Sequence, residues 1–190
     1  VGKREILVGE VWARRRPRGV RPPLGRRGGG EADPQLVGDR AGLGDDPLAV
    51  QQHIAADRPF LGICMGLQLL FQTGWEGGRH DGLGVFAGDV SRFDRSDNLK
   101  VPHMGWNEVR WREGSHVSEA LGKTSEEADF FYFVHSYYVR PSDTSIVIAE
   151  TNYGDTFCSG VSRGRLLATQ FHPEKSDKAG LKVIENFINL

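Results

Sequence analysis

"FLGICMGLQLLFQTGW", residues Phe60 to Trp75, sets a single cysteine between glycines where the pattern changes from strand to helix. Phe60, Leu61 and Ile63 have the apolar density of a short buried strand, and Leu67, Leu69, Leu70 and Phe71 predict a helix that stops at Gly74. Cys64 stands on the corner between them. A side chain there is displayed from a tight turn, with the first amides of the next helix facing it. Those amides favour negative charge, and so favour the thiolate that acts as a nucleophile. The alternative role for a lone cysteine is that of a small buried hydrophobe.

A thiolate nucleophile needs a base to take and return protons, and the base needs a third group to fix its tautomer. Of six histidines, His172 is placed for the task, because "LLATQFHPE" ends an apolar strand at its carboxyl end, where active sites of α/β sheets collect. On an extended chain Glu174 lies on the same side as His172 and can accept its second ring proton. Pro173 between them favours that extended geometry. A strand-end histidine alone would say little; joined to a cysteine elbow it points to acyl transfer through a covalent intermediate.

At 190 residues and 38% hydrophobic, the chain has the size and composition of one domain with a substantial core. Its two cysteines, Cys64 and Cys158, make neither a disulfide framework nor a CxxC zinc pattern, which predicts a reducing compartment and a cytoplasmic protein without a metal site. Cys158 reads as a strand residue. No apolar run is long enough to span a bilayer, and no hydrophobic signal sequence is expected, so a membrane is not an expected partner.

The formal charge of -1 hides an asymmetry: residues 1–40 hold 10 Lys or Arg against 5 acids, and the remainder 14 against 20. Between Trp12 and Arg27 lie seven arginines and no acid, mixed with Pro17, Pro22, Pro23 and glycines. Such a segment cannot bury enough apolar surface to fold by itself. It reads as an atypical, disordered or frameshifted stretch rather than as a nucleic-acid arm, since no aromatic residue beyond Trp12 interleaves the arginines. The domain is therefore expected over residues 41–190. Within it, a helix is expected from about Pro47 to Ala56, followed by the strand that ends at the cysteine corner. Further strands are expected in "GVFAGDVSRF", "NEVRW", "ADFFYFVHSYYV" and "SIVIAETNYG", with a hairpin in "TFCSGVSRGRLLATQF" turning at "SRGR". Leu181, Ile184, Phe187 and Ile188 mark a closing helix packed on the sheet. The layout is α/β with a largely antiparallel second half.

"GICMGLQLLF" and "TQFHPEKS" resemble the class I glutamine amidotransferases, and "KVPHMGWNEV" and "YFVHSYYV" narrow the resemblance to HisH, the glutaminase subunit family of imidazole glycerol phosphate synthase. The resemblance covers roughly Gly42 to Leu190. It implies a flavodoxin-like three-layer sandwich with a mixed sheet, and a catalytic Cys64, His172 and Glu174. It also implies an oxyanion donor at the Met65 amide and substrate contacts from Gly62, Gln68 and the backbone of Ser136 and Tyr137. Gln68 lies one helical turn beyond Cys64 and can face the same pocket. The implied substrate is L-glutamine, with no cofactor. The implied partner is the cyclase subunit HisF, a (β/α)8 barrel, met by Trp106, Tyr132 and Lys175 around the mouth of the site. His103 and His135 fall in family blocks but read as hydrogen-bonded structural residues.

Two departures from the family pattern bear on activity. An oxyanion needs two donors, and the second comes in the family from a glycine-rich loop of the form PGVGAFG; "QLVGDRAGLGDDPL" stands there instead, with Gly38, Gly42 and Gly44 as alternatives. After "REILVGEV" the expected β-α-β pattern gives way to the arginine-rich stretch, so the N-terminal portion reads as degenerate. The combination leaves a second reading open: a subunit that binds the cyclase without efficient glutaminase activity.

Overall fold

The computed structural model describes residues 5–8, 46–94, 99–112 and 128–189. The expectations for Trp12–Arg27 and for Gly38, Gly42 and Gly44 lie outside these residues. In chain order the first elements are β1 (Glu5–Val8), α1 (Pro47–Ala55), β2 (Phe60–Ile63), α2 (Met65–Gln68), β3 (Phe71–Gly74), β4 (His80–Asp81) and β5 (Phe86–Arg92). They are followed by β6 (His103–Trp111), β7 (Ala128–His135), β8 (Tyr137–Pro141), β9 (Val147–Tyr153), β10 (Asp155–Arg163), β11 (Leu166–Thr169) and α3 (Asp177–Ile188).

β2 runs parallel to β1 on one side and to β11 on the other, and all four of its residues are buried, as an unbroken apolar run requires. β1 falls within the first 40 residues, so the sequence boundary at 41 does not part all of that segment from the sheet. From β11 the sheet continues antiparallel through β10, β8 and β5, then parallel to β3 and antiparallel to β4. It also forks at β10, which pairs with β9 and through it reaches β6 and β7. The mixed sheet and the hairpin through Gly164 and Arg165 follow the sequence reading.

The alternation of side chains across β2 and β11 builds two cores. Phe60, Leu166 and Ala168 join Val50 and Ile54 of α1 on one face, while Leu61, Ile63 and Leu167 join Val183 and Phe187 of α3 on the other. Helix, sheet and helix thus form three layers. α1 begins as expected: Asp46 accepts the Leu48 amide at 3.0 Å, and Pro47 occupies the first turn.

Three local expectations are corrected. The helix after Cys64 ends at Gln68 rather than Gly74, and Phe71–Gly74 leaves as β3. Long-range bonds take the carbonyls that would have continued it: Leu83 N–H donates to Leu69, Phe86 N–H to Leu70 and Gly84 N–H to Phe71. The aromatic strand "ADFFYFVHSYYV" breaks at Ser136 into β7 and β8, which join different branches of the sheet. On α3 the buried face is Gly180, Val183 and Phe187, and Leu181 and Ile188 are exposed. Gly180 can face inward because it has no Cβ, which there would collide with the Pro173 carbonyl.

Candidate active site

Cys64 joins β2 to α2 with φ 53° and ψ -102°, a conformation that costs a non-glycine residue about 1–3 kcal/mol. Neighbouring backbone over-determines it. The Cys64 N–H donates to Thr169 O at 2.7 Å, and the Cys64 carbonyl accepts the amides of Leu67 and Gln68 at 3.1 and 3.2 Å. The turn folds back over β2 so closely that a Cβ on Gly62 would lie 2.9 Å from Gly66 O. Gly62 is buried, and this close approach leaves no room for a side chain at that position. The half-buried Cys64 Sγ has two polar neighbours: Val134 O at 3.9 Å and Gln170 Nε2, which donates to it at 3.6 Å.

His172 follows β11 and is fastened through its backbone. Its N–H donates to Tyr132 O at 2.9 Å, and its carbonyl accepts the Ser176 hydroxyl at 2.6 Å and the Lys175 amide at 3.0 Å. Nδ1 donates to Glu174 Oε1 at 2.7 Å, which fixes the tautomer and leaves Nε2 for chemistry. The chain does not reach this pairing by running extended throughout. His172 is extended, with φ -99° and ψ 92° as the residue before proline must be, but Pro173–Lys175 forms a 3-10 turn that curls the carboxylate back to the ring. Nε2 is buried with no hydrogen-bond partner among the described residues, and the Cys64 side chain acts on the ring electrostatically. Burial disfavours the imidazolium, yet the Cys64 sulfur and the Glu174 carboxylate outweigh it and raise His172 from 6.5 to about 9. Burial likewise opposes ionisation of Glu174, but the His172 ring and nearby Lys175 hold it below the usual carboxylate value.

A family model, "Glutamine amidotransferase class-I", matches residues 32–190. The chain belongs to this family. Among its curated relatives is the imidazole glycerol phosphate synthase subunit HisH of Rhodopirellula baltica, 51% identical over 138 residues that span 73% of this chain and 65% of that protein. The HisH of Dehalococcoides mccartyi is 44% identical over 163 residues, 86% of this chain and 76% of that protein, which places the chain among the HisH amidotransferases. The chain spans about two thirds of the length of the curated relatives it matches. Fold likeness extends to a chain of PurLQS from Thermotoga maritima, with a TM-score of 0.56 at 16% identity over 75% of this chain and 66% of that one. A solved glutamine amidotransferase gives a TM-score of 0.52 at 19% identity, over 74% of this chain and 67% of that one. At these identities the likeness bears on the fold alone.

Behind the cysteine of this HisH-type amidotransferase, Gln68 does face inward, though not into open space. Its Nε2 donates to Tyr137 O at 3.0 Å and to Gln170 Oε1 at 3.1 Å. Gln170, fully buried between β11 and His172, was not anticipated; the signal for it is a lone amide at the end of an apolar strand. The Ser136 carbonyl accepts the Phe93 amide, and the Tyr137 carbonyl accepts both Gln68 and His135, which takes up both of its lone pairs.

His103 and His135 are the structural pair that the sequence suggested. His135 Nδ1 donates to Tyr137 O at 2.8 Å, His103 Nδ1 donates to His135 Nε2 at 2.9 Å, and Asn107 Nδ2 donates to His103 Nε2 at 3.1 Å and to Asn152 O at 2.9 Å. The acceptor-only carbonyl fixes every proton in the row, with both rings neutral. Burial lowers His103 to about 4, and burial, offset in part by the Tyr137 bond, lowers His135 to about 3. Cys158 on β10 is inert: burial pushes its thiol up to about 12.

Trp106 and Tyr132 pair across β6 and β7 with rings 6.4 Å apart, and Tyr132 holds the His172 amide. Lys175 is exposed on the same turn as Glu174. The three residues expected to face a partner are thus gathered around the triad turn. Beside them, Trp106, Phe130 and Leu181 line an open apolar depression. No helix among the described residues is long and apolar enough to cross a membrane.

Proposed function

We propose that this chain hydrolyses the side-chain amide of L-glutamine and supplies the ammonia to a HisF cyclase subunit. The observation that carries the reading is the strained Cys64 elbow opposite a His172 whose Nδ1 is committed to Glu174 and whose Nε2 is unpartnered. With His172 raised to about 9, the ring holds a proton at neutral pH; the attacking species of a cysteine nucleophile is its thiolate. The sulfur attacks the amide carbon, His172 gives its Nε2 proton to the departing nitrogen, and ammonia leaves from a thioester. A water then loses a proton to Nε2 and adds to the thioester; collapse releases glutamate and restores the pair. Glu174 stabilises the imidazolium throughout.

The Met65 amide, first in α2, serves as one oxyanion donor, and Gln68 and the backbone of Ser136 and Tyr137 receive the amino-acid end of the substrate. Trp106, Tyr132 and Lys175 form the surface that meets the cyclase. The domain comprises residues 41–190 together with β1. A reducing cytoplasm suits its two unpaired cysteines. The test is glutamate release on mixing the chain with a HisF-type cyclase and its nucleotide substrate, with Cys64→Ala alongside. Release that disappears in Cys64→Ala is the expected result; release that survives the substitution overturns the reading. The absence of a PGVGAFG-like stretch favours a second reading, a cyclase-binding subunit of low activity, which stable binding without glutamate release would support.

A further inference from the structure

Two neighbours of the Cys64 sulfur pull its ionisation in opposite directions. The Val134 carbonyl, 3.9 Å away, accepts from the thiol and repels a thiolate. The Gln170 Nε2 donates at 3.6 Å and stabilises the thiolate. Which atom of the Gln170 amide faces the sulfur is decided farther back. Tyr137 O can only accept, so Gln68 must turn Nε2 toward it, and the same Nε2 meets Gln170 Oε1. Gln170 then has only its amino group to offer the sulfur. Its backbone is equally fixed, with its N–H on Ser159 O at 2.9 Å and its side chain fully buried.

We propose that Gln170 is a positioning residue for the nucleophile: a buried amide locked by Gln68 and the Tyr137 carbonyl so that it always presents a donor to Cys64 Sγ. The inference rests on the reading of Cys64 as the nucleophile and adds to it a residue outside the triad. The titratable group coupled to the sulfur is His172, with Glu174 behind it; His135, which interacts in turn with His172, is kept neutral by the row of bonds to Tyr137 O.

The test measures the rate at which iodoacetamide alkylates Cys64 from about pH 5 to pH 9, without glutamine. Cys158 is buried and protonated over this range, and Cys64→Ala supplies the blank. In Gln170→Met, of similar shape but without a donor, the rate–pH curve moves up by roughly half a unit to one unit, so that alkylation near pH 6 slows about threefold to tenfold while the high-pH plateau is kept. Gln170→Glu, which sets an acceptor against the sulfur, moves the curve farther. A purely structural role would lower the melting temperature and leave the curve in place, so superimposed curves overturn the proposal. If Gln170→Met does not melt cooperatively, Gln68→Met decides: it leaves Gln170 present but unlocks its amide, and the curve must rise by a smaller step or the proposal fails. Glutamate release is not read in this experiment. Activity surviving in Cys64→Ala would sink the nucleophile reading while leaving the measured effect of Gln170 on the thiol intact.

Discussion

The paired histidines behind the site should set the acid limb of stability. His103 and His135 are neutral in the folded protein, at about 4 and about 3, but titrate near 6.5 once unfolded. Between those values the unfolded chain binds more protons than the folded one, so stability is present above about pH 6.5 and is lost as pH falls toward 4. From pH 7 to pH 5 each ring alone would give up about 2 kcal/mol by linkage. The two are joined by one hydrogen bond, and a proton on either sets N–H against N–H somewhere in the row, so neither ring charges in the folded protein at pH 5 and the pair gives up about 4 kcal/mol. His172 works in the opposite sense. Raised to about 9, it contributes fully below 6.5 and loses that contribution as pH rises through 9, a change of under about 1 kcal/mol between pH 5 and pH 7. A net loss of about 3 kcal/mol is expected, read as a lower urea midpoint at pH 5 than at pH 7 with the same m value. The double substitution His103→Phe and His135→Phe lowers stability at every pH, because Asn107 loses an acceptor and Tyr137 O a donor, but it flattens the pH dependence. An unchanged slope in the double variant, or a parent equally stable at both pH values, would refute the reasoning.

The elbow itself can be probed by comparing two inactive variants. Cys64→Gly should be more stable than Cys64→Ala by about 1–2 kcal/mol in urea, because glycine takes φ 53° without strain; equal midpoints would mean the corner stores none. Glu174→Gln keeps the shape beside Nδ1 but removes the charge that raises His172. Glutamate release should fall by about two to four orders of magnitude, and the alkaline limb of kcat/KM should move to lower pH; an alkaline limb that stays in place would show that Glu174 does not set the proton affinity of the ring.

What was legible in the sequence was chemistry carried by short-range order. A buried strand, a cysteine and a glycine-flanked turn announce an elbow because each choice is local, and His172 with Glu174 announces a charge-stabilised base for the same reason. Conformation decided at long range was not legible. "LLFQTG" suits either a helix or a strand, and bonds from Leu83, Gly84 and Phe86 made the choice. Pro173 dictates the backbone of His172, yet nothing in the tripeptide foretells that Glu174 reaches the ring from a 3-10 turn. The buried face of α3 was misread because apolar content marked Leu181 and Ile188, while the close approach of Gly180 to the Pro173 carbonyl set the rotation.

Gln170 shows why the first layer of a site is easier to read than the layer behind it. A triad is recognised by residue types, whereas a supporting amide is recognised only by what it touches. Here two acceptor-only groups, the Tyr137 carbonyl and the Glu174 carboxylate, determine the protons of five side chains: Gln68, Gln170, His135, His103 and His172. Four of them commit their nitrogens to one another, to Asn107, to backbone or to the sulfur. His172 Nε2 is the ring nitrogen left buried without a partner, and leaving it so is costly unless a reacting group takes the place. The same accounting that commits Nδ1 to Glu174 therefore leaves the outer nitrogen of this ring for Cys64, where the proposed reaction passes its proton.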